Sequence, residues 1–478
     1  MKHPYRGFRR ALFELYFLTM PLHAWLIRGR HVRRLLMELR ESQFFSENAL
    51  RDLQLQRLRA IVKHHYETSQ FFRQRLDDLR IEPNQILSLE DLSKLPFLSK
   101  DDVRENLLNG LLSSDVPEAH RIRIATSGST GVPLTIYANR EQLEARFAAT
   151  LRALEWTGWR FGDRQVRLWH QSLGMSRLQT LREHADALLL RRKFIRAFEI
   201  SDRNIESCIS KISRHRPVLI DGYAESLNFL ASYVSVKAKE EIRPRAVMSS
   251  AQALPIGTRR EIEQGFQTEV FDKYGSREFS GIAYECQSHS GHHVVEECYI
   301  VELLVDGRPA RPGEIGEVVV TDLLNRATPM IRYRIGDLAE AMPQNPPCSC
   351  GRPHFRIGEI AGRSQAIVHC ANGVWLPGTF FAHFFKEFDS IIKFFQIEQS
   401  QKGSFKLNIV EGPNSSDGDV AKMISDLRKF VGDTKIQINR VMEIPLLQTG
   451  KRSPVISSIS EDFQQVSAAF NGPDSEMR

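Results

Sequence analysis

At 478 residues, with 42% hydrophobic and 26% charged side chains, the chain has an ordinary globular composition and exceeds the length at which one core stops growing. Two or more domains are expected. The formal net charge of +7 is localised: residues 1–40 hold nine Lys or Arg against Glu14 and Glu38, which leaves the rest neutral. A nucleic-acid binder spreads basic charge over a domain face with aromatics interleaved, and the absence of that pattern excludes nucleic acid as a partner.

The same forty residues contain "ALFELYFLTMPLHAWLI", 17 residues interrupted by Glu14, Pro21 and His23, too short and too broken to span a bilayer. No small-residue cleavage site follows, as a secretory signal requires. Residues 1–45 are expected to be a basic amphipathic segment, and two readings stay open. It lies on an anionic membrane surface as a peripheral contact, or it packs as a helix on its own protein or a partner. The six cysteines, Cys208, Cys286, Cys298, Cys348, Cys350 and Cys370, together with the missing export signal, point to a reducing, cytoplasmic setting.

Residues 46–108 carry apolar side chains at helical spacing, and "LPFLSKDDVREN" reads as a turn into a capped helix. From residue 121 strands and helices alternate. "RPVLIDGY", "RAVMSS" and "TEVFDKYGS" read as strands, "AESLNFLASYVSV" and "PIGTRREIEQGF" as helices. The alternation predicts an α/β layered domain with a largely parallel sheet, binding ligands where strands run out into loops. Between 298 and 340 the pattern changes to hairpins, with Asp306-Gly307 as a turn signal, and a β subdomain is expected. Beyond "AGRSQ", near residue 363, two strand runs, a helix and a further strand make a small α+β domain. The expected division is therefore 46–362 and 363–478.

Between two strand runs lies "TSGSTG", in which Thr126, Ser127, Gly128, Ser129, Thr130 and Gly131 offer hydroxyls and bare backbone N–H groups, a device for gripping phosphate. It is no Walker loop, because Val132 stands where the lysine would. By itself it reads equally well as a polar turn. Four later stretches add to it. "DKYGSREFSG" offers Tyr274, an aromatic plate for a base, and Glu278, a carboxylate able to hold Mg²⁺. "IRYRIGDLAE" offers Asp337 for ribose hydroxyls, "AGRSQ" offers Arg363 as a fixed cation, and "IPLLQTGKRSPVI" offers Lys451 behind Gly450.

In order and spacing these stretches resemble the adenylate-forming superfamily of acyl-CoA synthetases. More narrowly they resemble the phenylacetate-CoA ligase family, nearest its capsular-polysaccharide-biosynthesis branch, by "LRAIVKHHYETSQFFRQRL", "LPFLSKDDV", "YGSREFSGIAYEC" and "TGKRSPVI". The resemblance covers roughly residues 50–460. It implies a large α/β domain with a β subdomain and a small mobile α+β C-terminal domain. It also implies an ATP- and Mg²⁺-dependent ligase in which a carboxylate attacks the α-phosphate, leaving an acyl-adenylate and pyrophosphate. Residues 126–131 would hold the outer phosphates, Glu278 the Mg²⁺, Tyr274 the adenine, and Asp337 with Arg363 the ribose. Lys451 would bridge carboxylate and α-phosphate. The acceptor is usually coenzyme A. Departures from the family pattern at Gln252, Gln365 and "NGVWLPG" leave a carrier-protein thiol or an amine open, as in surface-polysaccharide or secondary-metabolite synthesis. A catalytically inactive, zinc-stapled interaction protein of the same fold is the reading from another class.

Cys286 in "YECQSHSGHH" and the pair Cys348 and Cys350 in "PPCSCGRPH" suit a closed tetrahedral Zn²⁺ site once a histidine is added. Relatives carry a similar set with His293 at the matching place, and His289, His292 and His354 compete locally. The alternative is buried thiols beside surface histidines. Trp156, Trp159 and Trp169 read as core and substrate-pocket wall, Cys208 and Cys298 as core, and residues 467–478 as a disordered tail.

Overall fold

The computed structural model describes residues 5–23, 31–125, 134–169, 177–197, 200, 204–237, 242–251, 254, 256–360, 367–388, 390–412, 415–444 and 454–457. The chain begins with helices α1 (Gly7–His23), α2 (Val32–Ser42), α3 (Glu47–Thr68), α4 (Gln70–Asp78) and α5 (Lys100–Asn106). Their starts follow local chemistry. Ser46, Ser69 and Ser99 accept hydrogen bonds from the main-chain N–H groups of Ala49, Phe72 and Asp102, and the Asp102 carboxylate returns the contact to Ser99 N–H in a capping box.

An antiparallel pair, β1 (Ile122–Ala125) and β2 (Thr135–Ala138), flanks the hydroxyl-glycine stretch, which itself lies outside the described residues. Helix α6 (Arg140–Trp156) follows. The alternating region then runs β3 (Gln165–Trp169), α7 (Arg177–Leu189), β4 (Arg192–Arg196), α8 (Ile205–His215), β5 (Leu219–Tyr223), α9 (Ala224–Lys237), β6 (Ala246–Ser250), α10 (Ile256–Phe266) and β7 (Val270–Ser276). Every residue of β5 and β6 is buried, as expected for central parallel strands covered on both faces.

After β7 the chain reverses. Strands β8 (Ser280–Glu285), β9 (His292–Val294), β10 (Tyr299–Val305), β11 (Arg308–Pro309), β12 (Ile315–Asp322), β13 (Tyr333–Ala341) and β14 (Arg356–Ile360) pair antiparallel. All join one twelve-stranded sheet ordered β11-β10-β12-β13-β14-β9-β8-β7-β6-β5-β3-β4. The largely parallel sheet expected from the alternation is therefore found only from β7 to β4, and the strands of the anticipated β subdomain continue the same sheet. The tight reversal between β7 and β8 causes this. A Cβ on Gly275 would stand 1.8 Å from the Ser280 carbonyl oxygen, so the bulge beside Tyr274 tolerates no side chain there. The Asp306-Gly307 signal is a two-residue turn between β10 and the short β11, with both residues at positive φ.

The C-terminal region contains the hairpin β15 (Ile367–His369) and β16 (Trp375–Pro377), helix α11 (Gly378–Lys386), strands β17 (Ile392–Gln401) and β18 (Ser404–Glu411), helix α12 (Asp417–Val431), β19 (Lys435–Arg440) and β20 (Val455–Ser457). The last four strands form a sheet ordered β19-β18-β17-β20, the α+β composition expected. One core lies between α6, the N-terminal helices and the sheet, with Trp156, Trp159, Phe161, Phe13 and Tyr16 inside it. A second joins the parallel strands and α8–α10 to the C-terminal elements. Cys208 and Cys370 are buried in this second core and Cys298 in the first.

Candidate active site and metal centre

Tyr274 lies in β7 and Asp337 in β13, and the tyrosine hydroxyl donates to Asp337 Oδ2 at 3.1 Å. Glu278, in the turn after β7, is 6% exposed. Its Oε1 accepts from the Tyr333 hydroxyl at 3.4 Å, and Arg146 of α6 donates to its main-chain oxygen. Arg146 also faces Asp322 across a buried 3.4 Å ion pair. The hydrogen-bonded core thus fixes the turn that carries Glu278 from two sides.

Next to the turn, burial pulls the Arg277 guanidinium below its usual range, opposed by Tyr223, Glu278 and Glu387. Lys273, one residue before Tyr274, is brought down to about 8 by burial and by the neighbouring Arg167, with Asp221 acting against them. Trp169 stacks on Tyr223 with ring centroids 4.5 Å apart at the carboxyl ends of β3 and β5. Ligands of α/β sheets bind at such strand ends. Of the residues expected at a nucleotide site, Tyr274, Glu278 and Asp337 are brought together. Thr126 to Gly131, Arg363 and Lys451 lie outside the described residues. Sequence reasoning passed over Tyr333, although it stands in the same stretch as Asp337, and Arg146, which has no local signal because its contact is 132 residues away.

The second constellation sits at the other end of β8. The ligand atoms of Cys286, His293, Cys348 and Cys350 all lie within 4.8 Å of one another. Cys286 Sγ is 3.6 Å from Cys348 Sγ, and Cys350 Sγ is 3.5 Å from His293 Nε2. A tetrahedral zinc with Zn–S near 2.3 Å has ligand-to-ligand edges of roughly 3.8 Å, so the donor set and spacing fit. Main-chain N–H groups of Ser288 and Arg352 donate to Cys286 and Cys350, each at 3.4 Å. The contact with Cys286, reinforced by His293 and the Arg352 N–H, pulls the Cys350 thiol far down towards thiolate; the same contact and burial raise Cys286. The competing histidines are engaged elsewhere. His289 meets Glu285, His292 meets Asp272, and His354 meets the Val294 carbonyl. Six residues of strand separate this cluster from Glu278, about 20 Å along β8.

Comparison with known proteins accords with this fold. A family model described as the CapK C-terminal domain matches residues 370–458. In solved structures, a 2-hydroxyisobutyryl-CoA ligase in complex with its acyl-adenylate and CoA superposes with a TM-score of 0.60 at 19% identity, over 90% of this chain and 93% of that one. The chain thus has the fold of the adenylate-forming ligases. Its sequence is 30% identical over 332 residues to the phenylacetate-coenzyme A ligase of Pseudomonas putida, covering 68% of this chain and 72% of that protein. Protein CapK of Staphylococcus aureus is 24% identical over 330 residues, 66% of this chain and 69% of CapK. The chain belongs to the phenylacetate-coenzyme A ligase family.

Proposed function

We propose that the enzyme couples ATP to a carboxylic acid, forms the acyl-adenylate, and passes the acyl group to the thiol of coenzyme A. The observation that carries this reading is the meeting of Tyr274 and Asp337, with buried Glu278 in the turn that follows β7. Asp337 offers a carboxylate to the ribose hydroxyls while Tyr274, hydrogen-bonded to it, presents its ring to the adenine. Residues 126–131, between β1 and β2, would cradle the outgoing pyrophosphate, and Arg363 would sit beside the ribose. Glu278 would hold a Mg²⁺, which would supply positive charge against the phosphates; Tyr333 contacts the Glu278 carboxylate and Arg146 its main-chain oxygen.

Lys451 would approach from the small domain, taken as residues 363–478, which contains the matched segment 370–458. Residues 46–362 form the large domain in this reading, with residues 1–45 as a basic amphipathic N-terminal segment whose helices pack into the first core. Such a transfer needs no protein nucleophile, and its rate comes from positioning and charge neutralisation. The cysteine and histidine cluster would hold a structural Zn²⁺. Three thiols and one imidazole would complete a closed site, and its distance from the strand ends supports a role in stapling the loop before β14 onto β8 and β9.

Pyrophosphate release from ATP across a panel of aryl, fatty and hydroxy acids, with wild type and Lys451→Ala, tests the reading. Acid-dependent release that collapses in the variant is expected; release independent of acid, or unaltered in the variant, would overturn it. Product formation that needs an amine instead of coenzyme A would move the acceptor to the amide-forming class.

A further inference from the structure

Helix α1 carries apolar residues on two opposite faces. Phe13, Tyr16, Phe17 and Met20 face inward and are buried, whereas Phe8, Leu15, Leu18 and Leu22 recur at helical spacing on the far side and are 68, 48, 79 and 76% exposed. The inward face is firmly fastened. The Tyr16 hydroxyl donates to Asp186 Oδ1 at 2.9 Å, His23 Nδ1 stands 2.9 Å from the same oxygen, and the Tyr5 hydroxyl donates to Glu155 at 2.6 Å. The outer stripe is therefore a feature of a docked helix.

Asp186 belongs to α7, and that helix repeats the pattern: Leu178, Leu181 and Leu188 are 56, 67 and 78% exposed. Between the two helices runs a groove of about 500 Å³ walled mainly by Leu15, Leu22, Leu178, Leu181, Ala185 and Leu189. Two adjacent helices presenting leucine stripes in one region make a contiguous apolar patch of the kind that marks an interaction surface.

Charge selects the occupant. Arg6 and Arg10 are exposed and, among the described residues, make no ion pair; Arg182 lines the groove; and the only carboxylate on α1, Glu14, is taken by Arg33 at 2.9 Å. Of the other described cations in residues 1–40, Arg9, Arg33, Arg34 and Arg40 are paired with carboxylates, which leaves Arg6 and Arg10 as the segment's unpaired positive charge among the described residues. A second copy would bring the same positive charge against this face, whereas an anionic bilayer complements it. No described helix is long and apolar enough to cross a membrane. We propose that α1 and α7 together dock in the plane of an anionic lipid surface, with the leucine stripes at the headgroup boundary and Arg6, Arg10 and Arg182 against lipid phosphates.

The full-length protein is floated with vesicles of phosphatidylglycerol in phosphatidylcholine and with phosphatidylcholine alone. Three variants accompany it: Leu18→Glu with Leu22→Glu on α1, Leu181→Glu on α7, and Arg6→Gln with Arg10→Gln as a pair that leaves the apolar packing untouched. Wild type floats with the anionic vesicles alone and is partly released by salt, and each variant reduces flotation about tenfold while its melting temperature is retained. Three results overturn the proposal: wild type that stays with the unbound fraction, an α7 variant that binds as wild type does, or a wild-type dimer by light scattering that the same substitutions dissociate.

Discussion

Tyr274 and Asp337 touch at 3.1 Å although their strands, β7 and β13, stand four places apart in the sheet. At ~4.8 Å per strand a flat sheet would hold them about 19 Å apart. The antiparallel half must therefore curl back over the carboxyl ends of the parallel half, and the pair closes the seam. Phe279 and Tyr333, whose ring centroids are 5.8 Å apart, pack across the same seam.

If Asp337 holds the ribose as proposed, Asp337→Ala removes an acceptor for two ribose hydroxyls. A hydrogen bond to a charged group contributes about 1.5–3 kcal/mol, so kcat/KM for ATP should fall roughly 10- to 100-fold. Tyr274→Phe leaves the ring and should cost only a few-fold. Steady-state pyrophosphate release against ATP concentration reads both; equal losses would show that the pair acts through packing.

Glu278→Gln keeps the size of a side chain that is 6% exposed and removes its charge. Loss of a preorganised charge contact at a reacting phosphate costs on the order of 10²- to 10³-fold in rate. The expected signature is a lower kcat with a weakened Mg²⁺ dependence and an unchanged circular dichroism spectrum. A variant that keeps the wild-type Mg²⁺ profile removes Glu278 from metal binding.

Purified without chelator, the protein should contain about one zinc per chain by elemental analysis. Cys348→Ser, or prolonged chelation, should lower the melting temperature by several degrees and leave the initial rate at low temperature within about twofold, because the cluster lies about 20 Å from Glu278. A zinc-free protein of wild-type stability would falsify the assignment.

The buried pair Arg152 Nη1 and Glu297 Oε1, 2.5 Å apart, ties α6 to the segment before β10, and Ser42 of α2 donates to the same carboxylate. Burial opposes the Glu297 charge, but Arg152 and His354 prevail and hold its pKa down at about 2. Arg152→Met strands that charge, and a broken buried pair costs about 3–5 kcal/mol. Urea denaturation near neutral pH should show a loss of that order, and a clearly smaller loss for the variant that also carries Glu297→Gln.

His65 is wholly buried, between the Ser113 hydroxyl at 3.0 Å and the Asn325 carbonyl at 2.8 Å, and burial lowers its pKa to about 3. A histidine depressed in the fold gives stability that is complete above its unfolded value near 6.5 and is lost as pH falls from 6.5 towards 3. Each unit below 6.5 should remove about 1.4 kcal/mol through this group. His65→Leu should be less stable at pH 7 yet show a shallower decline between pH 6.5 and 5; an unchanged slope would assign the acid sensitivity to other groups.

By itself the sequence determined the elements and the chemistry they carry. Alternation marked the βα units from β5 to β7, apolar spacing marked the helices of residues 46–108, a capped turn marked the start of α5, and "YGSREF" and "IRYRIGD" marked Tyr274, Glu278 and Asp337 as candidates, because capping, periodicity and side-chain type are local properties. Tertiary structure alone decided what depends on distant partners. The reversal after Gly275 joined the strands of the expected β subdomain to the parallel strands in one continuous mixed sheet. Its curl brought Tyr274 to Asp337 and Arg146 to the Glu278 turn. Of four nearby histidines it left His293 facing the three thiols, since the other three found carboxylate or carbonyl partners. It also gave α1 a second apolar face beside the leucines of α7, because only a neighbour in space determines which stripe of a helix is buried and which meets solvent.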